Sequence, residues 1–180
     1  MRQFFKWAIF LSTKISTGLL IGLFTILCSA TVAADNSKSL FSISGKLTIT
    51  QISDGDSLRS GKLKIRLFGI DAPEKKQKCY NATGEQWDCG IAALMALQQL
   101  IGSVHQISCK LMDVDRYARL VMRCYAGKTD VAEALVKAGL ALAYRQYSKL
   151  YINDENNARM AGVGMWDGSF TEPWTWRRTR

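Results

Sequence analysis

Residues 52–74 hold the side chains with which this sequence could do chemistry. Four carboxylates and one arginine in an apolar run occur there: Asp54, Asp56, Asp71, Glu74 and Arg66. Carboxylates packed together repel one another, so such a cluster must be solvated, partly protonated or neutralised by a cation. Oxygen donors without a nearby histidine or cysteine suit Ca²⁺ or Mg²⁺ better than zinc or copper. The segment therefore predicts a site for a hard divalent cation.

A predicted β-hairpin brings the two ends of this segment together. Apolar residues at 63, 65 and 67 alternate with basic residues at 62, 64 and 66, which is the pattern of a half-buried strand. Ser60-Gly61 indicates a hairpin turn between this strand and the preceding one. If the strands pair there, Asp54 and Asp56 return near residues 69–74, and the acidic groups share one corner.

The rest of the chain predicts an α+β fold. Besides the two hairpin strands, we expect strands at 41–52, 104–112 and 118–125, and helices at 91–101, 130–138 and from about 154 to before Gly162. Five short strands with a helix between the third and fourth are the layout of a five-stranded OB-fold β-barrel, here with about three α-helices. Such barrels bind oligonucleotides on one face, but the barrel alone does not define a function.

The N-terminal residues 1–34 have the features of a signal peptide. Basic residues are followed by an uncharged apolar run at 15–28 and by small residues at 32–34. Cleavage would leave one domain, residues 35–180, in the periplasm or the medium. An uncleaved membrane anchor is the alternative, because residues 15–34 form an uncharged run near spanning length.

The charge balance favours polyanionic partners. The formal net charge is +9, and leaving out the three basic residues of the N-terminal segment lowers it to +6. A basic protein attracts nucleic acid or an anionic membrane surface. We expect a single-domain monomer without stable membrane association once the signal peptide is removed.

Four cysteines of the predicted mature domain indicate two disulfides. Cys79 and Cys89 flank a short polar segment, whereas Cys109 and Cys124 lie symmetrically about a candidate turn near residues 116–117. An even number of cysteines behind an export signal is typical of disulfide-bonded proteins. A zinc site is the alternative, but the sequence has no Cys-x-x-Cys spacing and only one histidine, His105.

Two separated segments resemble the signatures of the staphylococcal nuclease (thermonuclease) family. The first comprises Asp54-Gly-Asp56 and Ile65 to Glu74; the second comprises Asp115-Arg-Tyr-Ala-Arg119-Leu and residues 131–141. The end of the chain, Pro173-Trp-Thr-Trp-Arg-Arg, is similar to the C-terminal region of exported bacterial members. The resemblance implies an OB barrel with three helices and Ca²⁺-dependent hydrolysis of phosphodiester bonds in DNA and RNA.

The same resemblance implies a role for each site residue. Asp56, Asp71 and the backbone carbonyl of Ala72 would be metal ligands, and Glu74 would orient or deprotonate the attacking water. Arg66 and Arg119 would hold the scissile phosphate. Tyr117 and Tyr147 would lie near the nucleotide, and Asp54 would be a further carboxylate that acts through water.

Two positions depart from the family pattern. Ala72 replaces the threonine of the best-known member, which matters little if only its carbonyl is used. Ala118 stands where the second motif often has glycine. If that turn needs a positive φ, alanine is strained there and the placement of Arg119 changes.

Simpler structural roles exist for the same residues. Asp56 and Asp71 could cap turns, and Arg66 could form a cross-strand ion pair. Arg119 could pair with Asp113 or Asp115. The tyrosines could pack rather than stack on bases. A non-catalytic nucleic-acid-binding or protein-interaction module is therefore the alternative function, although the complete set of acids and arginines argues against it.

Overall fold

The computed structural model describes residues 44–102 and 105–179, which belong to one compact unit. The predicted signal peptide, residues 1–34, lies outside this part of the chain. The strands of the described residues are β1 (Ser44–Thr48), β2 (Gln51–Asp54), β3 (Ser57–Ser60), β4 (Leu63–Leu67), β5 (Ile70–Asp71), β6 (Cys79–Tyr80), β7 (Gln86–Trp87), β8 (Gln106–Val114), β9 (Leu120–Ala126), β10 (Thr129–Asp130) and β11 (Leu142–Ala143).

The helices of the same residues are α1 (Cys89–Ile101), α2 (Val131–Lys137), α3 (Ile152–Ala161), a 3₁₀-helix (Gly164–Asp167) and α4 (Pro173–Arg178). The first three confirm the predicted helices; α4 is additional. Asp130 caps α2, because its side chain accepts hydrogen bonds from two N–H groups of the first turn. Gly162, at φ 62°, ends α3 in the left-handed conformation that glycine favours.

The main sheet has the strand order β1-β8-β9-β4-β3-β2, with β10 beside β9. β4 and β9 pair in parallel, and the other neighbours are antiparallel. The strand predicted at 41–52 is divided: Ile49 donates to the His105 carbonyl at 2.7 Å, whereas Thr50 donates to the Arg59 carbonyl at 2.8 Å. One segment thus supplies both edge strands, β1 and β2, which curls the sheet toward a barrel. This curled mixed sheet with its helices confirms the predicted OB-type α+β fold.

The hydrophobic core lies between the curled sheet and the first two helices. In the predicted hairpin, Leu58, Ile65 and Leu67 are buried, whereas Leu63, beside the turn, is 47% exposed. They pack with Leu97 of α1 and other core residues. The alternation in the sequence therefore sets which face of the β3–β4 hairpin is buried, and with it the direction in which Arg66 points.

Both predicted disulfides are present, Cys79–Cys89 and Cys109–Cys124. The second joins directly opposed residues of β8 and β9. The first belongs to a smaller buried cluster with Leu142 and Met165, against which tryptophans of the C-terminal region pack. Among the described residues, no helix is long and apolar enough to cross a membrane.

Candidate active site

The predicted acidic corner forms where β2 and β3 meet the loop after β5. The Asp56 carboxylate accepts a hydrogen bond from the Ala72 N–H at 2.9 Å, and the Asp54 carboxylate accepts one from the Lys75 N–H, also at 2.9 Å. The β3–β4 pairing places Arg66 directly opposite Ser57, the residue after Asp56. The hairpin thus brings both ends of the acidic segment together.

Arg66 links the two buried aspartates of this corner. Its guanidinium donates to Asp56 Oδ1 at 2.8 Å and to Asp71 Oδ1, and the Asp71 side chain is fully buried. Burial raises the pKa of Asp71, against the opposing effect of Arg177 and Arg66. Burial also opposes the charge of Arg66, but Asp56 and Asp71 outweigh it, so the pKa of Arg66 is raised. The arginine therefore stays charged and holds the two carboxylates at one point.

Asp54 lies at the more exposed side of the corner. Partial burial raises the pKa of Asp54 above its ordinary value, although the Lys75 N–H partly stabilises the carboxylate. Among the described residues, Asp54 forms no hydrogen bond with Arg66.

The Glu74 loop is positioned by α1 and by the buried side chain of Gln77. The Glu74 N–H donates to Gln77 Oε1 at 3.2 Å, and the Glu74 carbonyl accepts from the Gln77 N–H at 2.7 Å. A Cβ at Gly90, in the first turn of α1, would lie 1.9 Å from the Glu74 carbonyl oxygen. Only glycine allows the helix to approach this closely, so the loop backbone has little freedom.

Arg177 of α4 completes the cluster and was assigned no role from the sequence. Its guanidinium donates to Asp71 Oδ1 at 3.0 Å, to Asp71 Oδ2 at 2.8 Å and to Glu74 Oε1 at 2.8 Å. Burial opposes its charge, but the hydrogen bonds to both carboxylates raise its pKa. The only sequence signal was the basic pair that follows the C-terminal tryptophans.

Arg119 remains in its own turn. Its Nε–H donates to Asp115 Oδ2 at 2.6 Å, and its guanidinium lies 5.5 Å from the centre of the Tyr117 ring. Burial would raise the pKa of Asp115, but the hydrogen bonds from the Arg119 backbone and side chain lower it. In the described residues the contacts of Arg119 are therefore with the Asp115 turn, one of its two simpler pairings, and not with the acidic corner.

Ala118 has a φ of 56°, in the left-handed region. The Asp115 carboxylate and the Arg119 backbone close the turn around it, with an Asp115 N–H to Arg119 carbonyl distance of 3.0 Å. A Cβ is strained at such a φ, so this position would accommodate glycine better than alanine.

The two predicted nucleotide-facing tyrosines are both exposed, Tyr117 by 61% and Tyr147 by 66%. Tyr117 lies against Arg116 and Arg119. Tyr147 contacts Tyr144 edge to face, with ring centres 4.8 Å apart, and Tyr144 stacks on Trp174 at 5.6 Å. Tyr147 is therefore supported by Tyr144 and, through it, by Trp174, whereas Tyr117 is supported by the arginines of its own turn.

The donor set fits a hard divalent cation by chemistry and by charge. The hydrogen-bonded groups are four carboxylates and two guanidiniums, which leaves two negative charges when all are ionised. Within the residues that the structure describes, no three of these side chains converge as a metal centre. The carboxylates point toward their hydrogen-bond donors instead: Asp71 and Glu74 point toward Arg177, and Asp56 points toward Arg66 and the Ala72 N–H.

Comparison with known proteins agrees with this geometry. The family described as "Staphylococcal nuclease homologue" matches residues 64–168. The chain is 35% identical to an uncharacterized endonuclease of Haemophilus influenzae, over 72% of this chain and 71% of the relative. It is 31% identical to one of Escherichia coli, over 73% and 84%. A probable staphylococcal-like nuclease of rice is 32% identical over 68% of this chain, but the match spans only 31% of that protein.

The family match and the relatives named as endonucleases, together with the curled OB-type sheet, define a hydrolase of the nuclease class. The chain belongs to the staphylococcal nuclease family.

Replacing Ala118 with glycine should stabilise the protein. Relief of the left-handed strain outweighs the added freedom of the unfolded chain, so we expect the free energy of unfolding to rise by about 1 kcal/mol. Urea denaturation measures this change. Ala82→Gly is the matched control, because Ala82 is an exposed turn residue without a positive φ. Equal effects of the two substitutions would show that Ala118 is not strained.

Removing Arg66 should destabilise the fold far more than removing Arg119. Arg66→Ala leaves the buried Asp56 and Asp71 without a shared partner, which we expect to cost about 3 kcal/mol. Arg119→Ala breaks a partly exposed pair within one turn and should cost about 1 kcal/mol or less. Denaturation of both variants under the same conditions gives the comparison. Similar losses would contradict the assignment of Arg66 as the centre of the buried network.

Proposed function

We propose that this chain is an exported Ca²⁺-dependent nuclease that hydrolyses phosphodiester bonds of DNA and RNA with little sequence preference. The observation that carries the proposal is the joint hydrogen bonding of Arg66 to Asp56 and Asp71 beside the fixed Glu74 loop. Membership of the nuclease family supports the reaction class, and the basic net charge supports polyanionic substrates.

Arg66 has donors to spare for a phosphate. A guanidinium carries five N–H groups, and Arg66 uses two of them on the aspartates. A phosphodiester under attack gains charge on its oxygens, and a fork of N–H donors already held in place stabilises that charge better than a lysine would. Arg119 contributes a second fork if its side chain leaves Asp115 when substrate binds.

Glu74, like Asp54 and unlike Asp56 and Asp71, has access to solvent. Its side chain is 27% exposed, whereas its backbone is fixed by Gln77 and Gly90. A carboxylate held in this way can orient an attacking water and accept its proton. Asp56, Asp71 and the Ala72 carbonyl would hold Ca²⁺, which when bound neutralises phosphate charge and makes water more acidic.

The direct test is hydrolysis of plasmid DNA and of RNA by the purified protein, with Ca²⁺, with Mg²⁺ or with chelator. We expect degradation of both substrates that chelator abolishes and Ca²⁺ restores. Glu74→Gln retains the shape and an acceptor for Arg177 but loses the base, so kcat should fall about 10²-fold or more. Glu85→Gln, an exposed loop acid, is the control and should retain activity.

The contrary results are equally clear. A folded protein that leaves both substrates intact in Ca²⁺ would refute the nuclease proposal, and binding without turnover would support the non-catalytic module instead. Full activity of Glu74→Gln would remove this residue from the proposed chemistry.

Export is supported by the two disulfides, which form in oxidising compartments. We expect the periplasmic or secreted product to begin near Asp35 and to contain both disulfides. Mass spectrometry of the intact product and non-reducing peptide mapping measure these two properties. A product that retains residues 1–34 would favour the membrane-anchored alternative.

A further inference from the structure

Arg177 contacts two residues of the proposed reaction centre from outside residues 64–168, the part of the chain that matches the family model. The match to the family ends at residue 168, whereas α4 carries Arg177 into hydrogen bonds with both Asp71 and Glu74. Asp71 is fully buried, so its fork-to-fork pairing with this guanidinium is shielded from solvent on one side. The C-terminal tail therefore supplies part of the site itself.

The tail is held firmly enough to place this arginine. The buried Gln77 donates to the Thr171 carbonyl at 2.6 Å, and the same Gln77 fixes the Glu74 loop. Tyr80 and Ser169 exchange two backbone hydrogen bonds at 2.8 and 3.0 Å. A helix as short as α4 does not form alone, so these contacts decide where its side chains lie.

Packing adds to these hydrogen bonds on the other side of the tail. Pro173, the first residue of α4, is buried, and Trp174 stacks on Tyr144 with the rings parallel to within 2°. The Cys79–Cys89 disulfide lies in the cluster against which Trp174 packs. The tail is thus attached to the loop that carries Glu74 and to the elements beside it.

We propose that Arg177 is a third arginine of the reaction centre, which orients Asp71 and Glu74 and binds the substrate phosphate with its remaining donors. Three of its five N–H groups are used on the two carboxylates, which leaves the Nε–H and one Nη2–H. The side chain as a whole is 35% exposed. The inference rests on the proposed nuclease function, since it assigns the phosphate as the ligand.

A purely structural role, in which Arg177 only attaches the C-terminal tail to the barrel, would use the same hydrogen bonds. The two roles differ in what the loss of the arginine changes. A purely structural arginine contributes to the free energy of unfolding alone. A phosphate-binding arginine also contributes to kcat/KM and to the salt dependence of nucleic-acid binding. Lysine supplies charge but cannot form the fork, so it would replace a phosphate-binding arginine only in part.

The experiment compares Arg177→Ala and Arg177→Lys with Arg178→Ala. Arg178 is the matched control: it is on the same helix and exposed, and its hydrogen bond goes to the Trp174 carbonyl. We expect Arg177→Ala to lower kcat/KM by about 10²-fold, and Arg177→Lys to recover only part of that loss. Arg178→Ala should remain within about 2-fold of the unmodified protein, as surface substitutions usually do.

The second measurement is the affinity for a single-stranded phosphorothioate oligonucleotide at several salt concentrations in Ca²⁺. Loss of one phosphate contact should reduce the slope of log K against log salt by about 0.7 in Arg177→Ala and leave it unchanged in Arg178→Ala. This slope is measured without turnover. An inactive unmodified protein would therefore refute the nuclease proposal while the slope still decides whether Arg177 contacts phosphate.

Two results would overturn the inference. One is a lower melting temperature of Arg177→Ala with kcat/KM and salt slope unchanged, which is the behaviour of a purely structural residue. The other is an equal effect of Arg177→Ala and Arg178→Ala, which would indicate general charge attraction. If Arg177→Ala does not fold, Arg177→Lys decides: full activity with an unchanged slope contradicts the proposal, and reduced kcat/KM in a folded protein supports it.

Discussion

The buried Asp71 carboxylate is the constraint on which the site depends. A charge removed from water is stable only with close partners, and Asp71 has two guanidiniums, Arg66 from the barrel and Arg177 from the C-terminal helix. Each arginine also reaches a second acid, Asp56 or Glu74. One buried oxygen pair thus connects strands β3, β4 and β5 to the last helix of the described chain.

The remaining contacts of the corner keep this network from relaxing. Gln77 is fully buried and ties the Glu74 loop to the C-terminal tail, while Gly90 lets α1 approach that loop closely. The Cys79–Cys89 disulfide joins the chain after the loop to the start of α1. Rearranging these groups during a reaction would cost free energy. Because they are already fixed in place, the arrangement favours electrostatic catalysis.

Arg119 lies in a separate turn, and its contacts among the described residues do not reach the acidic corner. Its turn is closed by Asp115 and strained at Ala118, and it carries an exposed tyrosine beside the arginine. The pairing of β9 with β4 keeps this turn close to the Arg66 strand without joining it to the acids. The proposed site therefore combines a rigid half, which holds the carboxylates, with an exposed turn whose side chains have room to move toward a substrate.

The sequence by itself determined the features that depend on neighbours close along the chain. Alternation in residues 62–67 and the turn at Gly61 set the hairpin, and the hairpin placed Asp54 and Asp56 beside the loop after β5. Symmetric spacing also predicted the Cys109–Cys124 pair. These outcomes follow from strand periodicity and register, which need no knowledge of distant packing.

Only the tertiary structure decided that Arg177 meets Glu74 and joins Arg66 at Asp71. Arg177 is 106 residues from Asp71 along the chain, and no periodicity relates the two positions. The contact depends on the docking of the C-terminal tail through Gln77 and Trp174. The orientation of Arg119 was open for a different reason: the sequence allowed either an ion pair within the turn or a role at the corner, and the turn geometry around Asp115 determined its contacts.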